Sequence, residues 1–270
     1  MTDVAVALLK CDKPALGGDT SNRLAQFGIT VSQAKAMLSR VHSNLKVVVA
    51  PEYFYSPIEE IGQVHKQDGP VAITRKKKHE IYDDLIKISK QNNGVIIVAG
   101  SIYYKKGKGG KSKGLNVCPV LYNGEIIHKY YKKMDDGALN KDLVDATFSH
   151  KDSDPVFRIG GVNFGIEICG DHNQGVNNLK SWLAVNNKPP VAIQILISDG
   201  NFPQPARMVA KPNGYFVHCD LNGGSGGSLG VYKSDDNGVF KSGIANSLKP
   251  KISFVSGPNL GVSIYSLPNV

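Results

Sequence analysis

Eight short apolar runs, each of strand length, do most to limit what this chain can fold into. They lie at Val4–Leu9, Val47–Ala50, Val95–Ala99, Val117–Tyr122, Ile126–Tyr131, Val162–Ile168, Val191–Ile197 and Tyr215–Leu221. Segments of helical periodicity separate several of them. Ser21 is placed to cap a helix running to about Val41, along which Leu24, Phe27, Val31, Ala34 and Leu38 recur at three- and four-residue spacing. Ile81–Ser89 repeats the pattern through Leu85, Ile86 and Ile88, and Leu179–Val185 does so around Trp182. Strands alternating with helices predict an α/β fold whose sheets are covered by helices. A chain of 270 residues that is 41% apolar can bury a large core, and one domain over 1–270 is the expectation.

Turn chemistry fixes part of the register. Asn123-Gly124 joins two strand runs and predicts a two-residue hairpin. Period two then puts Ile126, His128, Tyr130 and Lys132 on one side of the second arm, with Ile127, Lys129, Tyr131 and Lys133 on the other, so only one of the two final lysines can enter a given pocket. The glycine-rich run 222–228 and the Asp236-Asn237-Gly238 turn read as tight turns within the same domain rather than as a linker.

Composition narrows the function classes. Val4–Leu9 has neither a basic start nor a small-residue cleavage site, so it reads as a first strand and not a signal peptide. No apolar run approaches the roughly 20 residues needed to cross a bilayer. The cysteines at 11, 118, 169 and 219 are far apart and form no C-x-x-C pair, which predicts a reduced, cytoplasmic protein and gives little support to zinc. The net charge of +9 raises the question of nucleic acid. Its clusters, Arg75–Lys78 and Lys105–Lys113, read as solvated loops without interleaved aromatics, and no nucleic-acid-binding motif accompanies them, so nucleic acid is not expected as a partner.

The chemistry points to Phe164-Gly-Ile-Glu-Ile-Cys169-Gly-Asp-His172. A cysteine delivered by an apolar strand into a glycine turn can act as a thiolate nucleophile, whereas the same residue inside the run would be a small hydrophobe. A nucleophile needs a base and a positive group where negative charge develops. Lys46-Val-Val-Val-Ala-Pro-Glu52 ends an apolar strand in a carboxylate, and the hairpin offers Lys132, with Lys133 as its fallback. Taken singly, an acid at a strand end and a lysine in a Lys-Lys pair usually face water.

Three motifs in order link these residues: Ala50-Pro-Glu52-Tyr-Phe, Lys129-Tyr-Tyr-Lys132 and Gly165-Ile-Glu-Ile-Cys169-Gly-Asp171. In them the chain resembles the nitrilase superfamily of carbon-nitrogen hydrolases. The similarity extends through Ile195–Ser198, through Arg207–Asn222, read as the family's Arg-rich helix and following strand, and through Gly226–Ser228 with Asp236–Gly238. The resemblance implies a four-layer α-β-β-α sandwich, commonly paired into homodimers or higher oligomers. It also implies Cys169 as nucleophile, Glu52 as general base, Lys132 as the cation on the oxyanion and the Gly170 N–H as a second donor. The implied activity is cofactor-independent hydrolysis of a small-molecule amide or N-carbamoyl group through a thioester. Substrate contacts are expected near Tyr53, His172 and Ser198, with no cofactor, metal or membrane partner.

Several features depart from the family pattern. Asp171 is followed by His172-Asn-Gln-Gly175, Lys132 by Lys133-Met-Asp-Asp-Gly137, and only Asp142 or Asp145 could supply a second acid after the lysine. Nitrile hydrolysis or acyl transfer by the same triad, and a catalytically silent scaffold of the same fold, stand as alternatives. So do a Cys-His site built on Cys169 with His150, His172 or His218 and a metal site from Glu167, Cys169, Asp171 and His172.

Overall fold

The computed structural model describes residues 2–11, 20–56, 72–107, 112–135, 146–221, 229–241, 247–257 and 260–270. The first half of the chain runs β1 (Val4–Cys11), α1 (Thr20–Leu38), β2 (Leu45–Val49), β3 (Ile73–Thr74), α2 (Arg75–Gln91), β4 (Val95–Val98), β5 (Ile102–Lys106), β6 (Ser112–Tyr122) and β7 (Glu125–Tyr131). It continues through β8 (Ala146–Phe148), β9 (Val156–Ile159), β10 (Val162–Ile168), α3 (Gly170–Asn173), α4 (Leu179–Val185), β11 (Ile193–Ser198), β12 (Tyr215–Asp220), β13 (Gly230–Lys233), β14 (Ile252–Gly257) and β15 (Leu260–Leu267). All eight apolar runs are strands. Among the described residues, no helix is long and apolar enough to cross a membrane.

Alternation along the strands builds the layers. One sheet has the order β14-β15-β1-β2-β4-β6-β5-β3, with β7 and β8 also on β6, and the other runs β13-β12-β11-β10-β9. On β1, Val4, Val6 and Leu8 face Phe164, Ile166 and Ile168 of β10 in an inter-sheet core. Ala5, Ala7 and Leu9 face Phe27 and Val31 of α1 and Leu85 of α2 on the other side. Beyond the second sheet, Leu179 and Leu183 of α4 pack over Val191. The result is the four-layer α-β-β-α sandwich that the resemblance implied. Gly165 lies under this contact: a Cβ on it would meet the Leu179 side chain, which would have to shift for α4 to stay on β10.

β1, β2 and β4 are parallel, as are β10, β11 and β12, so the carboxyl ends of β2 and β10 can each carry chemistry out of a sheet.

The structure also corrects local expectations. Ser21 lies inside α1, which already includes Thr20. Arg75–Lys78 forms the first turn of α2, capped by the Thr74 side chain accepting from the Lys77 N–H, and Lys78 is buried, so this basic run is not a solvated loop. Lys105, Lys106 and Lys113 sit on β5 and β6, while 108–111 lie outside the described residues. Asn123 (φ 50°) and Gly124 (φ 85°) make the expected hairpin turn. Strict alternation on β7 fails, however: Val120 pairs with His128 but Leu121 pairs with Ile126, leaving Ile127 as a bulge. Ile126 therefore joins the helix-side core while Tyr130 enters the inter-sheet core. Between β11 and β12 there is a single 3₁₀ turn, Pro205–Arg207, instead of the expected Arg-rich helix, because Pro203, Pro205 and Pro212 remove helical N–H donors. The 222–228 run, including the Gly226–Ser228 match, and Asp142 and Asp145 lie outside the described residues.

Candidate active site

Glu52 follows β2 in a turn that α1 and the loop after β4 hold in place. The Thr20 hydroxyl donates to the Tyr55 carbonyl (3.0 Å), and Arg23 donates to the carbonyls of Ser56 (2.5 Å) and Phe54 (3.3 Å). Tyr53, at φ 54°, donates its N–H to the Ser101 hydroxyl (3.0 Å). The Glu52 carboxylate is fully buried. Its Oε1 accepts from Lys132 Nζ and from Asn116 Nδ2, each at 2.9 Å. Lys132 follows β7, is also completely buried and lies 5.7 Å from the Tyr53 ring centroid, while its N–H donates to the Asn116 carbonyl (2.9 Å). Of the two adjacent lysines, Lys132 is thus the one turned toward the carboxylate.

Cys169 ends β10 at φ 45°, ψ −109°, a left-handed conformation costly for a residue with a Cβ. It sets a sharp turn into α3, whose first residue is Gly170. The strain is held by neighbours: the Cys169 N–H donates to the Ile197 carbonyl (2.9 Å), and its carbonyl accepts from the His172 N–H (3.0 Å) and from Asn201 Nδ2 (2.7 Å). Such strain on a reactive residue is common at functional sites.

Asp171 ties this turn to the lysine. Its Oδ1 accepts from the N–H groups of Lys133 (3.0 Å) and Met134 (2.8 Å), and its Oδ2 from the Tyr130 hydroxyl (2.8 Å). Two residues past the cysteine, one carboxyl group therefore holds the backbone just after Lys132 and the Tyr130 side chain before it. Burial pushes the Asp171 carboxyl up to about 7, against the opposing pull of the Lys132 charge and of these hydrogen bonds. With its folded value above the ordinary carboxyl range, Asp171 contributes stability that is complete below about pH 4. That contribution is lost as the pH climbs through about 7. Thermal melts across that interval should show a shallower decline for Asp171→Asn than for the parent chain.

The other expected contacts turn elsewhere. His172 is buried, with Nδ1 2.8 Å from Glu167 Oε2 and Nε2 accepting from the Gln204 N–H (3.2 Å), so both ring nitrogens are committed within the protein. Ser198 Oγ lies 2.7 Å from His218 Nε2 and donates to Asp220 Oδ2 (2.6 Å). These groups occupy the outer face of the second sheet, where alternation on β11 and β12 sends Ser198, His218 and Asp220 opposite to Ile197 and Cys219. They anchor the 199–209 segment: Asp220 Oδ2 accepts from the Gly200 N–H (2.9 Å) and Gln194 Oε1 from the Val209 N–H (2.6 Å). Ser198 and His172, expected near a substrate, thus have their hydroxyl and imidazole engaged with protein groups around this segment. Burial and the neighbouring His172 hold the His218 imidazole down to about 3, so it is neutral.

Glu167 pairs with His172 and Asp171 with the lysine segment, so the four residues weighed as a metal site point apart. No group of three or more such side chains suited to a metal ion occurs among the described residues.

Sequence reading missed Asn116 and Tyr130. Asn116 had a signal, being the polar residue in the otherwise apolar Leu115–Leu121 stretch of β6. Its amide nitrogen finds the acid, and its backbone carbonyl accepts the Lys132 N–H, so one residue touches both.

Residues 14–217 match the family model described as Carbon-nitrogen hydrolase. No curated protein sequence matches significantly. Among solved structures, Nit3 of Saccharomyces cerevisiae, a member of branch 10 of the nitrilase superfamily, aligns with 100% of this chain and 92% of its own at 16% identity and a TM-score of 0.59. A mutant of the Nesterenkonia AN1 amidase from the nitrilase superfamily aligns over 97% and 90% at 15% identity, TM-score 0.57. A glutamine-dependent NAD+ synthetase from Acinetobacter baumannii aligns over 97% of this chain but 45% of its own, at 13% identity, TM-score 0.56.

Proposed function

Because the chain belongs to the carbon-nitrogen hydrolase family, we propose that it hydrolyses the amide or N-carbamoyl bond of a small molecule through a thioester on Cys169. The observation that carries this reading is the buried Glu52–Lys132 pair, 2.9 Å apart, on a segment bonded directly to the turn that follows Cys169.

In the first half-reaction Glu52 takes the thiol proton and the sulfur attacks the carbonyl carbon. The developing oxyanion is met by the Lys132 ammonium and the Gly170 N–H. Glu52 returns the proton to the nitrogen, the carbon–nitrogen bond breaks and the amine leaves. In the second, Glu52 takes a proton from water, the hydroxide adds to the thioester carbon, and the acid departs as the thiol is reformed. No cofactor enters this scheme. Tyr53, whose ring centroid lies 5.7 Å from the lysine ammonium, is the aromatic contact for substrate in this reading. Pairing of two copies through the α4 layer, where Val176, Val185 and Phe202 are exposed, belongs to the same reading.

The test is a panel of small amides, N-carbamoyl amines and nitriles assayed for ammonia release, with intact-mass detection of an acyl adduct on Cys169. Amide or carbamoyl turnover with the adduct is the expected result. Turnover confined to nitriles, or acyl transfer to an added amine in place of hydrolysis, would reassign the reaction, and no adduct with any substrate or electrophile would leave the scaffold reading. Asp171 adds a positioning test. Asp171→Ala deprives three donors of their acceptor and should lower kcat on the order of 100-fold by letting Lys132 shift. Asp171→Asn keeps an oxygen for the two backbone N–H groups and should retain most of the rate.

A further inference from the structure

The surface that α2 shares with the edge of the first sheet gathers positive charge that no ion pair among the described residues neutralises. Lys78, in the first turn of α2, is only 6% exposed. Its ammonium lies 4.8 Å from the Tyr82 ring centroid and 4.7 Å from that of Tyr104 on β5. Lys129 of β7 stands 5.1 Å from the same Tyr82 ring, and Lys151 stands 5.5 Å from Tyr131. The segment bearing Lys151 is fastened by Ser153, whose hydroxyl accepts the Tyr131 N–H (2.9 Å). Arg75 and Lys106 complete the group: burial first, and then the charges of Lys129, Arg75, Lys106 and Lys151, bring Lys78 down to about 8. Four exposed cations thus surround a buried one.

Among the described residues, none of the five makes an ion pair, although Lys77 and Lys87 nearby each have an acidic partner. The buried Tyr82 hydroxyl also has no hydrogen-bond partner among them. Assembling like charges around a half-dry ammonium opposes folding unless something neutralises it. Tyrosine faces attract cations, but the quadrupole supplies no counter-charge. The arrangement therefore has the donors and charge for an anion with several acceptor oxygens. Single-stranded nucleic acid would need open rings for its bases. Here Tyr82, Tyr104 and Tyr131 are 5%, 4% and 8% exposed, with lysines lying over them, which leaves phosphate chemistry without base stacking.

We propose that Arg75, Lys78, Lys106, Lys129 and Lys151 form a binding site for a compact multivalent phosphate, the chemistry of pyrophosphate or of a nucleotide's oligophosphate. The site lies on the helix side of the first sheet: Tyr131 belongs to that core, whereas Tyr130, the preceding residue, faces the inter-sheet core on the way to Lys132. It is thus separate from Cys169 and independent of whether that residue turns over an amide.

The experiment is calorimetric titration of the full chain with inorganic pyrophosphate at low salt, with inorganic phosphate and oligothymidylate as parallel arms. Pyrophosphate should bind more tightly than either. Lys78→Met, and separately the exposed Lys129→Ala, should each weaken it by about 10- to 100-fold, the worth of one charged hydrogen bond. Lys129→Ala keeps the test open if Lys78→Met fails to fold. Absence of pyrophosphate binding, binding as tight in the folded variants as in the parent chain, or tighter binding of oligothymidylate would overturn the proposal.

Discussion

Cys169→Ala is expected to abolish turnover and to remove the acyl adduct, because in the proposed mechanism the thioester forms on the Cys169 sulfur. The residual rate should be indistinguishable from background in the ammonia assay, with the far-ultraviolet spectrum unchanged. A second substitution at the same position probes the backbone. Cys169 is held at φ 45°, ψ −109°, so alanine inherits the strain and glycine does not. Cys169→Gly should be equally inactive yet more stable than Cys169→Ala by about 1–3 kcal/mol, read from urea unfolding. Retained turnover in either variant would sink the thioester mechanism, and equal stability would mean that the turn relaxes around alanine.

Glu52→Gln is expected to lower kcat by about 100- to 10,000-fold, the usual worth of a positioned proton carrier. Glutamine keeps an oxygen that can accept from Lys132 or Asn116 but cannot carry a proton. It also leaves the Lys132 ammonium buried without its counter-charge. Breaking a buried pair by removing one partner costs about 3–5 kcal/mol, and the remaining amide acceptor should keep the loss toward the lower end. Stopped-flow acylation separates the two effects: the acylation rate falls by the full factor even at temperatures where the variant is folded. Full activity in Glu52→Gln would instead favour an imidazole base. The geometry gives little room for one, since His172 has both nitrogens engaged and His150 is exposed.

Much of the architecture is legible in the chain because it rests on short-range rules. Apolar runs of strand length become strands, Asn123-Gly124 becomes a hairpin, and the cysteine at the mouth of an apolar strand emerges at the end of β10. Glu52 and Lys132 are legible as residues, but their pairing is not, since 80 positions separate them and only the stacking of β2, β4 and β6 brings them together. The internal partners of Ser198 and His172 were not legible in the sequence, for a definable reason. Nearness in sequence to the cysteine says nothing about which side of a sheet an alternating position takes, and Ser198 went to the outer face of β11, while His172 lies in α3 and reaches Glu167. The basic runs were misread for a related reason. No tyrosine interleaves with Arg75–Lys78 along the chain, and the rings that cover Lys78 and Lys129 arrive from two different elements, Tyr82 from α2 and Tyr104 from β5.

The extra residue at Ile127 solves a problem of parity. A two-residue turn dictates which side the first positions of β7 must take, and the ammonium two residues beyond Tyr130 has its own demand, so without a slip the two would have to agree by counting. The bulge uncouples them. The tip itself stays fixed: Asn123 Oδ1 accepts from the Gly94 N–H (2.8 Å), the Gly124 N–H donates to the Ser89 hydroxyl (3.1 Å), and both residues hold a positive φ that few replacements would accept.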